Sequence, residues 1–224
     1  MGLTPGTQVR HAAAVPQDAD ALLDLAPVLP VVVIDDPDDA VPLARALVAG
    51  GLRLIELVLR TPAALEAINN IAQHVPEAVI GAGTVTTSAQ ADAAQAAGAR
   101  FLVAPGQTPR LLDALQASGL PFLAGTATAS DLVALRERGI TTAKFFPAEL
   151  NGGTAAIKQL GAVFPELRFC PTGGIGLHNA GEYLALPNVA CVGGSWVTPP
   201  AAVTAQDWTA VEDFARTAAA LRRT

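Results

Sequence analysis

Only two lysines, Lys144 and Lys158, occur in the 224 residues, against twelve arginines. Lys158 falls in a stretch that reads as helix surface. Lys144 lies inside Thr141-Thr142-Ala143-Lys144-Phe145-Phe146-Pro147, a short apolar, β-prone run with the pattern of a buried strand. Burying an ammonium there costs several kcal/mol unless it pairs or loses its proton. Arginine serves wherever a fixed positive charge is enough. It cannot supply a primary amine that sheds its proton and attacks a carbonyl. Lys144 is therefore a candidate Schiff-base nucleophile. The competing structural role is a lysine that snorkels from a strand end to a carboxylate.

A second run, Leu52-Arg53-Leu54-Ile55-Glu56-Leu57-Val58-Leu59-Arg60, places Leu54, Glu56, Val58 and Arg60 on one face of a strand. A carboxylate flanked by Leu, Ile and Val needs a partner or a task. If that face shares a cavity with Lys144, Glu56 can shuttle protons beside the amine, and Arg60 can clamp a carboxylate through its two-pronged guanidinium. The alternative is an ion pair that merely neutralises the interior. Two glycine pairs, Gly173-Gly174 and Gly193-Gly194, follow the last two strand-like runs, the second leading into Ser195. Such turns expose backbone N–H groups, and at those two loops of a parallel barrel they suit a phosphate. Tight turns that only close the barrel are the alternative.

These residues must be carried by a scaffold, and the sequence repeats one unit. Strand-like runs at 29–34, 53–60, 78–85, 100–104, 121–126, 142–146, 168–172 and 190–192 alternate with helix-like stretches at 38–49, 62–74, 88–97, 109–117, 130–138, 154–163, 179–184 and 207–221. Gly50, Gly98, Gly119 and Gly139 close helices just before the next strand. A short helix over 18–25, capped by Asp18, precedes them. Eight βα units without a break in composition predict an α/β fold of the (β/α)8 TIM-barrel type, one domain over 1–224 with a loose tail at 1–17. An open doubly wound sheet is the runner-up. It lacks the glycine-rich dinucleotide fingerprint after the first strand.

Composition narrows the partners. Half of the chain is apolar, mean hydropathy is +0.39, and aromatics make up 4%, so the core is built mainly of Ala, Val and Leu. A net charge of −6 argues against nucleic-acid binding, which needs a basic face. No apolar run approaches the ~18 residues of a membrane span, and no signal-like segment opens the chain, so a cytoplasmic location is expected. Cys170 and Cys191 lie in different strands and read as reduced core residues. No His/Asp/Glu cluster has metal-binding spacing, and neither a metal nor another cofactor is expected. His11, His74 and His178 read as surface residues. The run Asp35-Asp36-Pro37-Asp38-Asp39 reads as capping and charging of the following helix.

Taken together, Ile55-Glu56-Leu57-Val58-Leu59-Arg60-Thr61, Gly81-Ala82-Gly83-Thr84-Val85, Ala104-Pro105-Gly106, Lys144-Phe145-Phe146-Pro147-Ala148-Glu149, Arg168-Phe169-Cys170-Pro171-Thr172-Gly173-Gly174-Ile175 and Val192-Gly193-Gly194-Ser195-Trp196 make the resemblance specific. The chain resembles the 2-keto-3-deoxy-6-phosphogluconate (KDPG) and 4-hydroxy-2-oxoglutarate aldolases, from about residue 29 to 196. The resemblance implies a lyase of the Entner–Doudoroff route, a class I pyruvate aldolase that needs no metal and assembles as a homotrimer. It implies that Lys144 carries the iminium and that Glu56 is the acid and base. Arg60 and Thr84 would hold the pyruvate carboxylate, Pro105, Phe146 and Thr172 would line the enamine, and Gly173, Gly174, Gly194 and Ser195 would take the phosphate. The acidic loop at 35–39, the fifth strand's Ala124-Gly125-Thr126-Ala127-Thr128, and Gly176-Leu177-His178-Asn179 depart from the family's best-known members. Those departures leave the distal half of the phosphorylated keto acid open.

The expected reaction is cleavage of 2-keto-3-deoxy-6-phosphogluconate to pyruvate and glyceraldehyde 3-phosphate. The same chemistry on 4-hydroxy-2-oxoglutarate or 2-keto-3-deoxy-6-phosphogalactonate is the near alternative. A phosphosugar isomerase or epimerase using Glu56 alone, and a non-catalytic phosphate-binding barrel, are the distant ones. Both leave Lys144 and Arg60 without matching tasks.

Overall fold

The computed structural model describes residues 18–221; the tail over 1–17, with His11, lies outside them. Eight strands are present: β1 Val28–Val32, β2 Leu54–Val58, β3 Val79–Gly83, β4 Leu102–Val103, β5 Phe122–Thr126, β6 Thr142–Phe145, β7 Arg168–Pro171 and β8 Val192–Gly194. They pair in parallel in the order β7-β6-β5-β4-β3-β2-β1-β8. The two ends of that order meet through parallel bridges Phe169↔Val189 and Thr172↔Gly193, so the sheet closes on itself. Around it lie α1 Ala19–Leu23, α2 Ala40–Ala49, α3 Ala64–His74, α4 Ser88–Ala96, α5 Pro109–Ala117, α6 Ala129–Glu137, α7 Gly153–Val163, α8 Ala180–Leu184, α9 Pro200–Thr204 and α10 Trp208–Ala219. The fold is the expected (β/α)8 barrel with a short N-terminal helix.

Strand alternation divides the apolar side chains into two layers. Ile55, Leu57, Ile80, Ala82, Leu102, Phe145 and Phe169 pack outward against the helices. Leu29, Leu54, Val79, Phe101, Val103, Leu123, Cys170 and Cys191 fill the lumen. Leu22 and Leu23 of α1 join that inner cluster and stopper the end of the barrel where the strands begin. Asp18 caps α1 by accepting from the Ala21 N–H at 2.7 Å. Arg168, first residue of β7, donates to Asp24 at 2.7 Å and to Asp20 at 3.1 Å. The Asp24 hydrogen bond is the main reason that the Arg168 pKa rises. With one end stoppered, polar chemistry is left to the other.

Several boundaries differ from the sequence reading. β8 begins two residues later than expected, so Gly193 and Gly194 are strand residues facing Leu29 and Pro30 of β1 instead of a turn. Glycine lowers strand propensity and so mimics a loop, but a Cβ at 193 would stand 2.2 Å from the Thr172 hydroxyl oxygen. β4 is short: Leu102 alone pairs with both neighbours, and Val103 pairs with β5. The sequence reading leaves 193–206 without a helix, yet Pro200 opens α9, where a missing N–H costs nothing. Gly50 closes α2 as expected, its N–H donating to the Ala46 carbonyl at 3.0 Å; Gly51 takes the left-handed conformation, at φ +96°, and Gly50 also admits α10, since a Cβ there would lie 2.5 Å from that of Ala215.

Candidate active site

β2 and β6 stand on opposite sides of the ring, separated by three strands in either direction. The inward phase set by Leu54 continues to Glu56, and that of Thr142 to Lys144, so the two side chains meet across the lumen. Lys144 Nζ lies 3.0 Å from Glu56 Oε1 and 3.4 Å from Oε2. Glu56 is fully buried and Lys144 is 5% exposed. At that separation the gross attraction is about 5 kcal/mol for an effective dielectric near 20. Removing both ions from water costs several kcal/mol each, so the pair does little for stability. A group kept at that cost is better explained by chemistry.

Neighbouring strands are trimmed to make room. A Cβ at Gly83 of β3 would lie 2.3 Å from Glu56 Oε1. Gly125 of β5 faces Lys144 in register, and a Cβ there would lie 2.2 Å from the carbonyl of Pro105. Pro105 thereby reaches the strand beside the lysine. The Thr126 hydroxyl donates to the Lys144 carbonyl at 3.1 Å and fixes the backbone of β6. The Phe146 ring centroid lies 5.5 Å from Lys144 Nζ, within reach of a cation–π attraction.

Arg60 and Thr84, just past β2 and β3, are brought together: Arg60 Nε donates to the Thr84 hydroxyl at 3.2 Å. Thr84 holds φ at +59°, a strained conformation for a β-branched residue. Arg60 is exposed, so its remaining guanidinium donors face solvent at the open end.

Thr172 is buried and bridges to Gly193, which sets Gly173 beside Gly194 at the closure of the barrel. Gly173 and Gly174 both have positive φ, +102° and +78°. The Thr172 carbonyl accepts from the Ala148 N–H at 2.8 Å, and the Gly173 carbonyl from the Glu149 N–H at 3.1 Å. Because N–H and C=O oppose each other in a trans peptide, the N–H groups of Gly173 and Gly174 turn away from the β6–α7 connection. Such successive amides form a concavity suited to an anion. Ser195 follows β8 and is exposed, and a Cβ at Gly194 would collide with the Trp196 ring.

The sequence reading took Gly83 only as a small residue where a ligand would approach closely, and gave no task to Gly125, Thr126, Glu149 or Tyr183. Tyr183 was the more visible, being the only tyrosine in the chain. Its hydroxyl makes a short hydrogen bond to Glu149 Oε1, and burial first, then that carboxylate, pushes its pKa far above the ordinary value. In the acidic loop, Asp36 accepts from the Asp38 N–H at 3.0 Å and so caps the single turn that leads into α2, whereas Asp39 accepts from Gln206 at 2.7 Å and makes no side-chain cap to α2. His74 Nδ1 contacts the Asn70 carbonyl and His178 is exposed. Among the described residues, no group of three or more His, Cys, Asp or Glu could hold a metal ion, and no helix is long and apolar enough to cross a membrane.

The family profile described as "Aldolase: KDPG and KHG aldolase" matches residues 19–214. The 2-dehydro-3-deoxy-phosphogluconate aldolase of Pseudoalteromonas atlantica is 52% identical over 194 residues, 87% of this chain and 90% of that protein. Among solved structures, the KDPG aldolase of Legionella pneumophila, with pyruvate captured at low pH as a covalent carbinolamine intermediate, superposes with a TM-score of 0.89. It is 44% identical, over 91% of this chain and 98% of that one. The 2-keto-3-deoxy-6-phosphogluconate aldolase of Zymomonas mobilis with 3-phosphoglycerate also gives 0.89, at 46% identity, over 94% of this chain and 99% of that one.

Proposed function

The chain belongs to the KDPG and KHG aldolase family, and from that membership we propose that it cleaves 2-keto-3-deoxy-6-phosphogluconate through an imine on Lys144. It is a class I aldolase, a lyase releasing pyruvate and glyceraldehyde 3-phosphate. The observation that carries the assignment of residues is the buried 3.0 Å contact between Lys144 Nζ and Glu56 Oε1.

A proton moved from Nζ to Glu56 turns an ammonium–carboxylate pair into an amine and a carboxylic acid. The lumen's net charge is unchanged, so a low dielectric does not oppose the step. The amine adds to the C2 ketone, and Glu56 gives its proton to the departing hydroxyl, which leaves as water. The resulting iminium cation accepts the electron pair of the C3–C4 bond. Glu56, a carboxylate again, takes the C4 hydroxyl proton as that carbon becomes the aldehyde of glyceraldehyde 3-phosphate. It then returns the proton to C3 of the enamine, and water releases pyruvate from Lys144.

Arg60, tied to Thr84, holds the pyruvate carboxylate, with its planar fork matched to two oxygens. Pro105, Phe146 and Thr172 line the planar enamine. The amides of Gly173 and Gly174, with Gly194 and Ser195 beside them, take the phosphate. Anchoring the substrate at both ends places C4 over Glu56. The same proposal includes one barrel domain, a homotrimer and a cytoplasmic place on the Entner–Doudoroff route, which the family resemblance supports.

The test is reductive trapping. Incubation with pyruvate and borohydride is expected to add one pyruvyl group to the wild-type chain, located by peptide mass at Lys144, and none to Lys144→Arg. An adduct at Lys158, or unchanged cleavage by Lys144→Arg, would remove the assignment.

A further inference from the structure

Outside the lumen, one side-chain pair touches the proposed phosphate turn without a task in the reaction. Glu149 grips that turn twice. Its backbone N–H donates to the Gly173 carbonyl at 3.1 Å, and its side-chain stem covers Gly174, where a Cβ would lie 2.5 Å from Glu149 Cγ. The far end of the stem is held by Tyr183, whose hydroxyl donates to Oε1. Tyr183 is 1% exposed and belongs to α8, the helix that follows the turn. From the same segment, Asn179 Nδ2 donates to the Gly174 carbonyl at 3.2 Å and its Oδ1 accepts from the Gly176 N–H at 2.9 Å. The turn is thus braced on both sides.

A carboxylate this near an anion site is a liability unless its direction is fixed. Glu149 as a whole is exposed, and the Tyr183 hydroxyl holds one of its oxygens in place. They lie against Gly153, the first residue of α7, where a Cβ would stand 3.5 Å from Glu149 Oε1 and 3.3 Å from the Tyr183 oxygen. The positive end of α7 favours negative charge there. The Gly173 and Gly174 amides turn the other way, as the two carbonyl contacts require.

We propose that Tyr183 and Glu149 are positioning residues for the phosphate. The tyrosine latches the glutamate toward α7, which keeps its charge off the substrate and holds the Gly173–Gly174 turn with both amides presented. This rests on that turn being the phosphate end, as proposed above.

The experiment compares kcat/KM for 2-keto-3-deoxy-6-phosphogluconate and for 4-hydroxy-2-oxoglutarate, which carries no phosphate, in wild type, Tyr183→Phe and Glu149→Gln. Tyr183→Phe removes one oxygen and frees the carboxylate. The ratio of the two kcat/KM values is expected to fall on the order of tenfold, chiefly through KM of the phosphorylated substrate. Glu149→Gln still accepts from the tyrosine but carries no charge, so its ratio is expected to stay at or above that of wild type. Equal losses on both substrates in Tyr183→Phe, or an unchanged ratio, would mean a merely structural contact and overturn the latch. A wild-type enzyme whose cleavage is not inhibited by inorganic phosphate or glyceraldehyde 3-phosphate would remove the phosphate turn and the latch together. Inhibition that persists undiminished in Tyr183→Phe would remove the latch alone.

Discussion

Adding one methyl group to Gly83 should disable the site without replacing either Lys144 or Glu56. A Cβ built there lies 2.3 Å from Glu56 Oε1, 2.7 Å from Cγ and 2.9 Å from Cδ. An ordinary van der Waals contact begins near 3.4 Å, so the carboxylate must retreat by roughly 1 Å. The expected result is loss of the 3.0 Å hydrogen-bond geometry with Lys144 Nζ. A misplacement of roughly 1 Å costs about a hundredfold in rate. The control is Gly81→Ala on the same strand, where a Cβ would meet the Phe101 ring at 2.4 Å, among the apolar lumen residues. Both variants overpack the interior, worth about 1–3 kcal/mol and several degrees of melting temperature. Pyruvate release followed through lactate dehydrogenase, with melting curves alongside, is expected to show similar destabilisation in the two. Only Gly83→Ala should lose about a hundredfold in kcat. Borohydride trapping should still mark its Lys144, because the amine is intact. Equal kcat in the two folded variants would refute the role given to the Glu56–Lys144 geometry.

Thr84→Gly should separate stability from binding. It relieves the +59° backbone conformation and so should hold or raise the melting temperature, while loss of the hydroxyl that orients Arg60 raises KM for pyruvate in trapping assays; an unchanged KM would remove Thr84 from the carboxylate site. Asp131→Asn should cost about 1 kcal/mol at neutral pH, because Asp131 completes a capping box with Thr128 at α6. Burial pushes its carboxyl up, but hydrogen bonds from Ala127, Thr128 and Gln107 outweigh that and hold it below its usual 3.8. A pKa lowered by folding gives stability that is present above the unfolded value and lost as pH falls through the folded one. The melting-temperature gap between wild type and variant should therefore be full at neutral pH and close in acid beneath 3.8; a gap that widens on acidification would refute the sign.

What was legible in the sequence was what alternation alone determines. Glu56 and Lys144 share the phase of Leu54 and Thr142 in their own strands, and a closed parallel barrel then leaves those side chains one place to go. Arg60 extends the same phase past the end of β2. The start of β8 was not legible, because Gly193 and Gly194 are strand residues only by virtue of pairing with Leu29 and Pro30, more than half the chain away. Glu149 and Tyr183 escaped for the same reason, being 34 residues apart in different helical segments. A clue was nonetheless present, since Tyr183 is the only tyrosine in the chain. The glycines are harder still. Gly83, Gly125 and Gly193 are defined by what approaches them, and an absent side chain carries no pattern of its own.

Those three glycines explain how a packed barrel can hold a reaction at all. Along the lumen, the lower layer is filled by Leu29, Leu54, Val79, Phe101, Leu123 and the two cysteines, with α1 beneath as a stopper. Native packing density would continue that filling to the open end. Instead β3, β5 and β8 each present a glycine at the next level, and the released volume goes to Glu56, to the close approach of Pro105 and to Thr172. The polar groups at that level and at the mouth are each braced by a second one: Glu56 by Lys144 and Arg60 by Thr84. The apolar lower layer keeps water from the charged pair on one side, and the outer helical core holds the strands' spacing on the other. Rigid positioning of an amine and a carboxylate within one hydrogen bond follows from the barrel's geometry, and the glycine vacancies decide where along its axis that geometry becomes chemistry.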